Sequence, residues 1–401
     1  MRVLQICNKA PYPPNDGSSI AIYNMGEGFI ANNVELHVLT INTKKHFKPD
    51  DQIQVDYKEK SHYKSVYRDA SVTPWGAFAN LFTSQSYFVS RFYFNEFENS
   101  LIEILKKNVF DIIQLEGLFV ATYISVIKKY SKAKIVLRAH NVEFLIWERH
   151  LLHEKSALKK WYLSLQTSRL KKFELEVLPQ LDAIVTITDI DKDFFLELGF
   201  KKPIYTCITG VNVNSYKEKR SNNKKPKTIF HFASMDWMPN MEAVEWFLEN
   251  CWEKVHKTVP EAKLVLAGRD MPEKFRKLNL PNVMVIEKVA DSKTFYNCHE
   301  IMLVPLLSCS GLRIKIIEGM AYGKPIVSTA IGAEGIKYTH GKNILIANSP
   351  SEFSEAVIGL LQNDEKRKLL ESEAQSLAEQ QFDNKKVVEG LVQFYNSELN
   401  A

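Results

Sequence analysis

Two doubly wound, Rossmann-like α/β domains in tandem are the fold class this sequence predicts, and three observations predict it. Short β-branched runs alternate with amphipathic segments in both halves of the chain, which is the pattern of parallel βαβ units. Runs such as KIVLRA (134–139) and KLVLAG (263–268) are apolar on both faces, as strands covered by helices on either side must be. The chain has 401 residues, and at about 150 residues per domain that is room for two or three, each half being long enough to bury a core.

In chain order, the strand-like runs of the first half are 2–7, 35–41, 111–116, 134–139, 183–188 and 203–208. Those of the second half are 228–233, 263–268, 283–288, 300–305, 324–329 and 343–347. Helical patterns over 243–255, 314–322 and 351–362 complete the second set of βα units. The stretch YKEKRSNNKKPK (216–227) has almost no apolar residue and reads as an interdomain linker. The expected domains are therefore 1–215 and 228–382, with a final helix over about 383–401 returning to the first. Two insertions stand out. Residues 74–94 carry eight aromatics, and 143–178 is a long helical pattern bearing Lys155, Lys159, Lys160, Arg169, Lys171 and Lys172. Each has a plain reading, as core and as solvated face.

Composition narrows the function. With 45% hydrophobic and 25% charged residues the chain is an ordinary globular protein rather than a disordered, collagen-like or disulfide-scaffold one. Its 52 Lys and Arg against 47 Asp and Glu leave a net charge of +5, too little for a nucleic-acid binder. A local basic face for anionic lipid or a phosphate-bearing substrate stays compatible with it. The five cysteines, Cys7, Cys207, Cys251, Cys298 and Cys309, are scattered without metal-ligand spacing and read as reduced core thiols. The N-terminus MRVLQICNKAPYPP turns polar too early for a signal peptide, and the longest apolar run, near 301–307, cannot span a bilayer. The expectation is a cytoplasmic protein whose membrane association, if any, is peripheral, at the inner face.

In open parallel sheets ligands bind beyond the C-terminal strand ends, so chemistry is expected in the residues that follow each strand. The first loop, NKAPYPPNDGSS, has a single glycine and no G-x-G-x-x-G, which disfavours a nicotinamide enzyme. There is no P-loop. Gly17 and Ser18 can offer N–H groups at a helix start near Ser19; Gly17 reads equally well as a turn residue. The richest stretch is LLSCSGLRIKIIEGMAYGKPIVSTAIGAEG (306–335). A strand leads into a loop with Ser310, Gly311 and Leu312, and the first helical turn then carries Arg313 and Lys315 rather than acidic residues. Cations there make sense if an anion docks on the same helix start. Lys315 and Glu318 share one helix face with Gly311 beside them, an arrangement able to hold a phosphate and accept from a ribose diol. The plainer reading is a surface i,i+3 ion pair.

Other candidates also follow strands. His140 ends KIVLRAH and precedes Asn141, a good N-cap. Arg138 steadies it or forms an ordinary ion pair. Glu143 sits in the next first turn, where it suits the helix dipole. Glu116 ends DIIQLE, Arg269 follows Gly268, and Glu334 lies in GAEG beyond KPIVST. Trp237 is a stacking residue or a core anchor.

EGMAYGKPIVST with the later GAEGI resembles the signature of retaining glycosyltransferases of family 4, which have the GT-B fold. HFASMDWMPN, LVLAGRD, ITGVNVNSY, NILIANSPSEFSEAVIGLL, RVLQICNKAPYPPNDGSS, DIIQLEG and VLRAHNVE fit the same family, so the likeness spans nearly the whole chain. It is similar to the bacterial polysaccharide group in particular. The resemblance implies a cleft between an acceptor-side N-terminal domain and a nucleotide-sugar-binding C-terminal domain. It places Glu318 at the second acidic position of an E-x7-E motif and Ser310 at the first.

The resemblance puts His140 near the donor phosphate or sugar. In many relatives an Arg and a Lys bind the pyrophosphate, the Arg coming from the first loop of the C-terminal domain, but SMDWMPN carries neither, so Lys315 with Arg313 or Arg269 is expected to take that part. The expected set is then His140, Lys315 and Glu318 as catalytic, Gly17, Arg269, Ser310, Gly311, Leu312, Arg313 and Glu318 on the donor, and Glu116 and Glu143 on the acceptor, with no metal or other cofactor. The substrates implied are a UDP- or GDP-linked sugar and a glycan or lipid-linked acceptor. Transfer would retain anomeric configuration in surface polysaccharide or glycoconjugate synthesis. No side chain is placed as a nucleophile for a covalent intermediate. A sugar-nucleotide epimerase of similar fold is the first rival. A non-catalytic glycosyltransferase-like binding protein is the second, and Ser310 in the first acidic position is the feature that points to it.

Overall fold

A computed structural model describes residues 1–14, 16–44, 47–217, 226–308 and 312–400. Among these residues the chain forms two compact units, Met1–Gly210 with Asn384–Ala401, and Val211–Asp383.

The first unit is built on a parallel sheet of seven strands. In chain order they are β1 (Arg2–Cys7), β2 (Glu35–Thr43), β3 (Lys64–Arg68), β4 (Ile112–Glu116), β5 (Lys134–Ala139), β6 (Ala183–Thr186) and β7 (Ile204–Thr206), arranged β3-β2-β1-β4-β5-β6-β7. All neighbours pair in parallel. Side chains alternate between two cores, because successive strand residues face opposite sides. Leu4 and Ile6 join one apolar cluster while Val3 and Cys7 join the other. That explains why these strands read as continuous apolar runs. β3 is not among the expected strands: it is an edge strand of mostly polar or exposed residues (KSVYR), and such partial burial leaves no apolar run.

The helix Asn384–Leu399 closes this unit by packing on the helix Gly17–Ala31, with Asn384 Nδ2 donating to the Asn24 carbonyl at 2.6 Å.

The second unit is a six-stranded parallel sheet: β8 (Thr228–Phe232), β9 (Lys263–Ala267), β10 (Val283–Ile286), β11 (Ile301–Val304), β12 (Ile326–Ser328) and β13 (Leu345–Ile346), in the order β10-β9-β8-β11-β12-β13. The division falls after Gly210 rather than after 215. Val211 already bridges Asp383, and the Tyr216 ring lies edge-on to Tyr322, 4.6 Å away, so this part of the expected linker is structure of the second unit. Residues 218–225 of that linker are outside the described residues. The helix expected over 243–255 begins earlier, at Met238. Pro239 can occupy its first turn because an N–H there has no intrahelical partner to lose.

The two insertions resolve unevenly. The aromatics of 74–94 divide: Phe88, Phe92 and Phe94 are buried, with Phe88 stacked on Trp147 at 4.0 Å, whereas Trp75, Phe78 and Phe82 are exposed. The pattern 143–178 is two helices, Glu143–His153 and Ala157–Val177. Its basic face is largely spent within the unit. Lys159 pairs Glu154 and Lys171 pairs Glu148. Arg169 donates to the carbonyls of Asn80 and Leu81.

Candidate active site

All seven strands of the first unit run the same way, so their C-terminal ends bring Cys7, Glu116 and Ala139 to one edge. There a buried polar group is assembled. Glu116 has no exposed surface and is paired across the sheet with Arg138, also fully buried, at 3.1 Å. Gln5 and Gln114 each donate to Glu116 Oε1 at 2.6 Å, and His140 Nε2 stands 2.7 Å from Oε2. Burial alone would push the Glu116 carboxyl up, but Arg138 and the His140 hydrogen bond outweigh it and hold Glu116 well below the ordinary carboxylate range. Tyr395, from the C-terminal helix, donates to Gln114 Oε1 at 2.6 Å and fixes that amide.

The tautomer of His140 follows from this partner. Burial lowers the imidazole pKa, so the ring is neutral at pH 7. An ionised Glu116 can only accept, so Nε2 carries the proton and Nδ1 presents its lone pair. Nδ1 faces the hydroxyl of Ser18 at 3.5 Å. Ser18 sits at the start of the helix Gly17–Ala31, where Asp16 caps the N–H groups of Ser18 and Ser19 at 3.1 and 3.0 Å and holds Lys9 at 2.6 Å.

Three expectations change here. Glu116 does not face an acceptor; it is the buried support of His140. The Ser18 N–H is occupied by Asp16, and Gly17, exposed and with open space where a Cβ would lie, is not required there by packing. Asn141 is not the N-cap: Val142 takes that position with its side chain in the core, and Glu174 accepts from the N–H groups of Glu143 and Phe144 at 3.2 and 3.1 Å. Glu143 is half-buried near Glu174. Burial and then that neighbouring carboxylate push its pKa up to about 8.

In the second unit the helix Ile314–Ala321 follows β11. Gly319 lets it lie directly on the sheet, since a Cβ there would come within 2.6 Å of Met302 Sδ. Lys315 is in the first turn and donates from Nζ to Asn240 Oδ1 at 2.8 Å. Asn240 is buried and tied in turn to the Ser234 carbonyl at 2.8 Å. The Ser234 hydroxyl accepts from Arg269 Nε at 2.7 Å and donates to Asp236 at 2.5 Å. Ser234 thus links the two cations. Gly268 is obligatory beside it: its φ is +145°, and a Cβ would lie 1.6 Å from the Ala233 carbonyl oxygen.

Arg313 precedes the helix instead of standing in its first turn. It is buried, with its guanidinium 5.6 Å from the Trp237 ring centroid, so that indole stacks on a cation of its own unit. One turn beyond Lys315, Glu318 is half-buried and accepts from the Tyr216 hydroxyl at 3.5 Å. Burial pushes its carboxyl up to about 7, against the pull of that hydrogen bond. Leu312 lies beside Gly335, and the half-buried Glu334 is in the turn just before it. Ser310 and Gly311, with Cys309, are outside the described residues.

Lys9, Asp16, Asn240 and Ser234 were absent from the expected set, and the Ser18 hydroxyl was not expected to face His140. Their signal was available only as position: each lies in the loop after β1 or β8 or in the first turn of the helix that follows it.

Chemically, the second unit presents an ammonium and two guanidiniums about a helix start, suited to an anion, and a carboxylate one turn deeper, suited to hydroxyl donors. The first unit presents an oriented imidazole. Among the described residues no helix is long and apolar enough to cross a membrane.

The fold is GT-B, two parallel α/β units of the kind found in glycosyltransferases. More narrowly, residues 226–363 match the family model "Glycosyl transferases group 1", so the second unit carries a domain of that kind. The chain is 24% identical over 299 residues to an uncharacterized 44.6 kDa protein of the cps region of Klebsiella pneumoniae, covering 72% of this chain and 74% of that one. Among solved structures it is similar to Anabaena HepE in complex with UDP and glucose (13% identity, TM-score 0.65, 98% and 99% of the two chains). It is also similar to sucrose-phosphate synthase of Thermosynechococcus elongatus (12% identity, TM-score 0.69, 100% of each).

Proposed function

We propose that this protein is a retaining glycosyltransferase of family 4, moving a sugar from a UDP- or GDP-linked donor to a glycan or lipid-linked acceptor in surface polysaccharide or glycoconjugate synthesis. The observation that carries the reading is the Lys315–Asn240–Ser234–Arg269 chain at the start of the helix that also bears Glu318. Lys315 and Arg269 neutralise the departing nucleoside diphosphate, and Glu318 accepts from the ribose diol. Stabilising charge where it develops lowers the barrier to departure. Positive charge at the diphosphate comes from side chains, so the reading needs no metal or other cofactor for the transfer. His140 is assigned to the reacting end of the donor, with Nδ1 as its acting nitrogen.

The likeness to UDP-bound HepE and the cps-region relative support donor class and pathway. Peripheral contact with the inner face of the membrane completes the reading. It is supported by exposed Trp75, Phe78 and Phe82, which stand along a helix and its following turn.

The test is direct. The protein is incubated with a panel of nucleotide sugars, with and without glycan acceptors, and nucleoside diphosphate release and product anomers are followed. Acceptor-dependent release with an α-linked product is expected from an α-donor. A new nucleotide sugar without acceptor would mean epimerisation, and binding of no nucleotide at all would remove the reading.

A further inference from the structure

Glu35, His37 and His62 form a cluster at the other end of the first sheet. Glu35 opens β2 and His37 follows two residues later, so both project from one face of the strand. β3 pairs with β2 in the register Leu39↔Lys64. Stepping back two residues sets His62 opposite His37, and the ladder does extend that far, since the Val38 N–H donates to the Ser61 carbonyl at 2.9 Å. The two imidazoles stack, with centroids 4.3 Å apart and planes 21° from parallel, and the edge of Phe110 closes on His37 at 5.1 Å. Glu35 Oε1 is 3.4 Å from His37 Nε2. One ligand atom from each of the three residues lies within 4.8 Å of the other two.

We propose that these three side chains bind a divalent transition-metal ion, zinc before others. The donor set is two imidazoles and one carboxylate, which suits borderline ions rather than magnesium or calcium. Tetrahedral bonds of about 2.1 Å put ligand atoms about 3.4 Å apart. The present separations reach 4.8 Å, so the stacked rings must turn until their nitrogen lone pairs converge on the ion, with water as the fourth ligand. His62 adopts φ +42° as the left-handed residue that ends the helix Val55–Lys60, where the Tyr63 N–H donates to the Lys58 carbonyl at 3.1 Å, so the helix end fixes the backbone that carries this ring. Arg2 Nε lies 2.8 Å from Glu35 Oε1, the same oxygen that faces His37, and its charge keeps the affinity moderate.

In a parallel sheet this end is opposite the strand ends that carry Glu116 and His140. β3 is the edge strand, joined to the sheet through β2 alone. The ion is therefore a clip between the edge strand and its neighbour, and it serves stability rather than the transfer chemistry.

The experiment uses the full chain without an affinity tag, stripped by chelator and titrated with Zn²⁺ against a chromophoric chelator. One equivalent should bind, and zinc should raise Tm, because a ligand held only by the folded state stabilises it. His37→Phe keeps the ring packing, and His62→Asn tolerates the left-handed backbone. Each should weaken zinc binding at least about tenfold, the loss of roughly 1.4 kcal/mol, and abolish the rise in Tm. Glu35 is exposed, so Glu35→Gln folds even if the histidine variants do not, and it should also weaken binding about tenfold. Zinc affinity unchanged in Glu35→Gln and in whichever histidine variants fold, or no binding by the wild type at micromolar free zinc, overturns the site. None of these readings depends on whether the protein transfers sugar.

Discussion

The imidazole of His140 donates through Nε2 to Oε2 of Glu116 at 2.7 Å, and that carboxylate has no exposed surface. One buried charge pair, Glu116 with Arg138, therefore sets both the proton position and the orientation of a partly exposed ring. Stability and chemistry separate between the two partners. Glu116→Gln leaves the Arg138 guanidinium buried without its counter-charge, and breaking such a pair costs about 3–5 kcal/mol. His140→Ala removes a side chain from the margin of the network and should cost only about 1 kcal/mol. Its turnover should nevertheless fall about 10- to 100-fold, the worth of a hydrogen bond to a charged group. Urea denaturation and steady-state turnover of both variants check this; equal stability of the two would contradict it.

Lys315 and Asn240 give a second separation. Lys315→Ala deletes a charge-assisted bond to the diphosphate and should weaken nucleoside diphosphate binding about 10- to 100-fold. Asn240→Ala leaves the charge but frees the ammonium from its 2.8 Å anchor, so a smaller loss in donor KM is expected. The double variant should bind no more weakly than Lys315→Ala, because the amide acts through the lysine. Calorimetric titration with UDP and GDP measures all three and identifies the base.

How much of this was legible before folding depends on what each feature requires. Strand runs such as KIVLRA were legible because burial on both faces removes every polar residue from the run; β3 was not, because an edge strand keeps its polar side chains. His140 and Lys315 were legible by place, each following a strand. The support beneath His140 was hidden, since Glu116 and Arg138 are 22 residues apart and meet only when β4 lies beside β5. Asn240 was hidden for the same reason, being 75 residues from Lys315. Whether a lysine on a helix is spent or available is also invisible in a sequence: Lys159 and Lys171 face carboxylates of the neighbouring segment.

Glu318 should make donor binding depend on pH near neutrality. Its carboxyl is pushed up to about 7, so it is mostly protonated below that pH and ionised above it. The ionised form accepts two ribose hydroxyl bonds, and protonation gives up part of that capacity. The donor Kd should therefore rise as pH falls through 7, and in Glu318→Gln it should be flat from pH 6 to 8. A wild-type profile just as flat would show that the carboxylate does not meet the ribose.

Trp75 and Phe82 are each 79% exposed and Phe78 lies between them; exposed Lys155 and Lys160 belong to the same unit. With most other cations of that helix pair spent on carboxylates and carbonyls, apolar insertion should outweigh charge. Co-sedimentation with anionic vesicles should occur at low salt and persist in part at high salt. Replacing Trp75 and Phe82 by serine should abolish it while leaving the unfolding midpoint unchanged, because neither ring is in the core. Vesicles that leave the wild type in the supernatant would dispose of the membrane contact.

Glu143 and Glu174 make the first unit lose stability toward alkaline pH. Burial raises both carboxyls, and the Glu174 charge adds to the effect on Glu143; they reach about 8 and about 7, against an unfolded value of about 4.3. The folded state therefore holds protons that the unfolded chain has already released. Unfolding free energy falls with pH wherever the folded state binds more protons, so the loss begins above the unfolded value and continues through pH 7 to 8. Glu174 accepts two backbone N–H bonds and is poorly replaced, whereas Glu143 offers a clean variant. Glu143→Gln removes one titration and the repulsion acting on its neighbour. Its Tm advantage over the wild type should grow steadily from pH 5 to pH 8, as read by differential scanning calorimetry across that range. A wild-type Tm that rises between pH 5 and 8 to the same extent in both proteins would mean that the two carboxylates ionise at ordinary values.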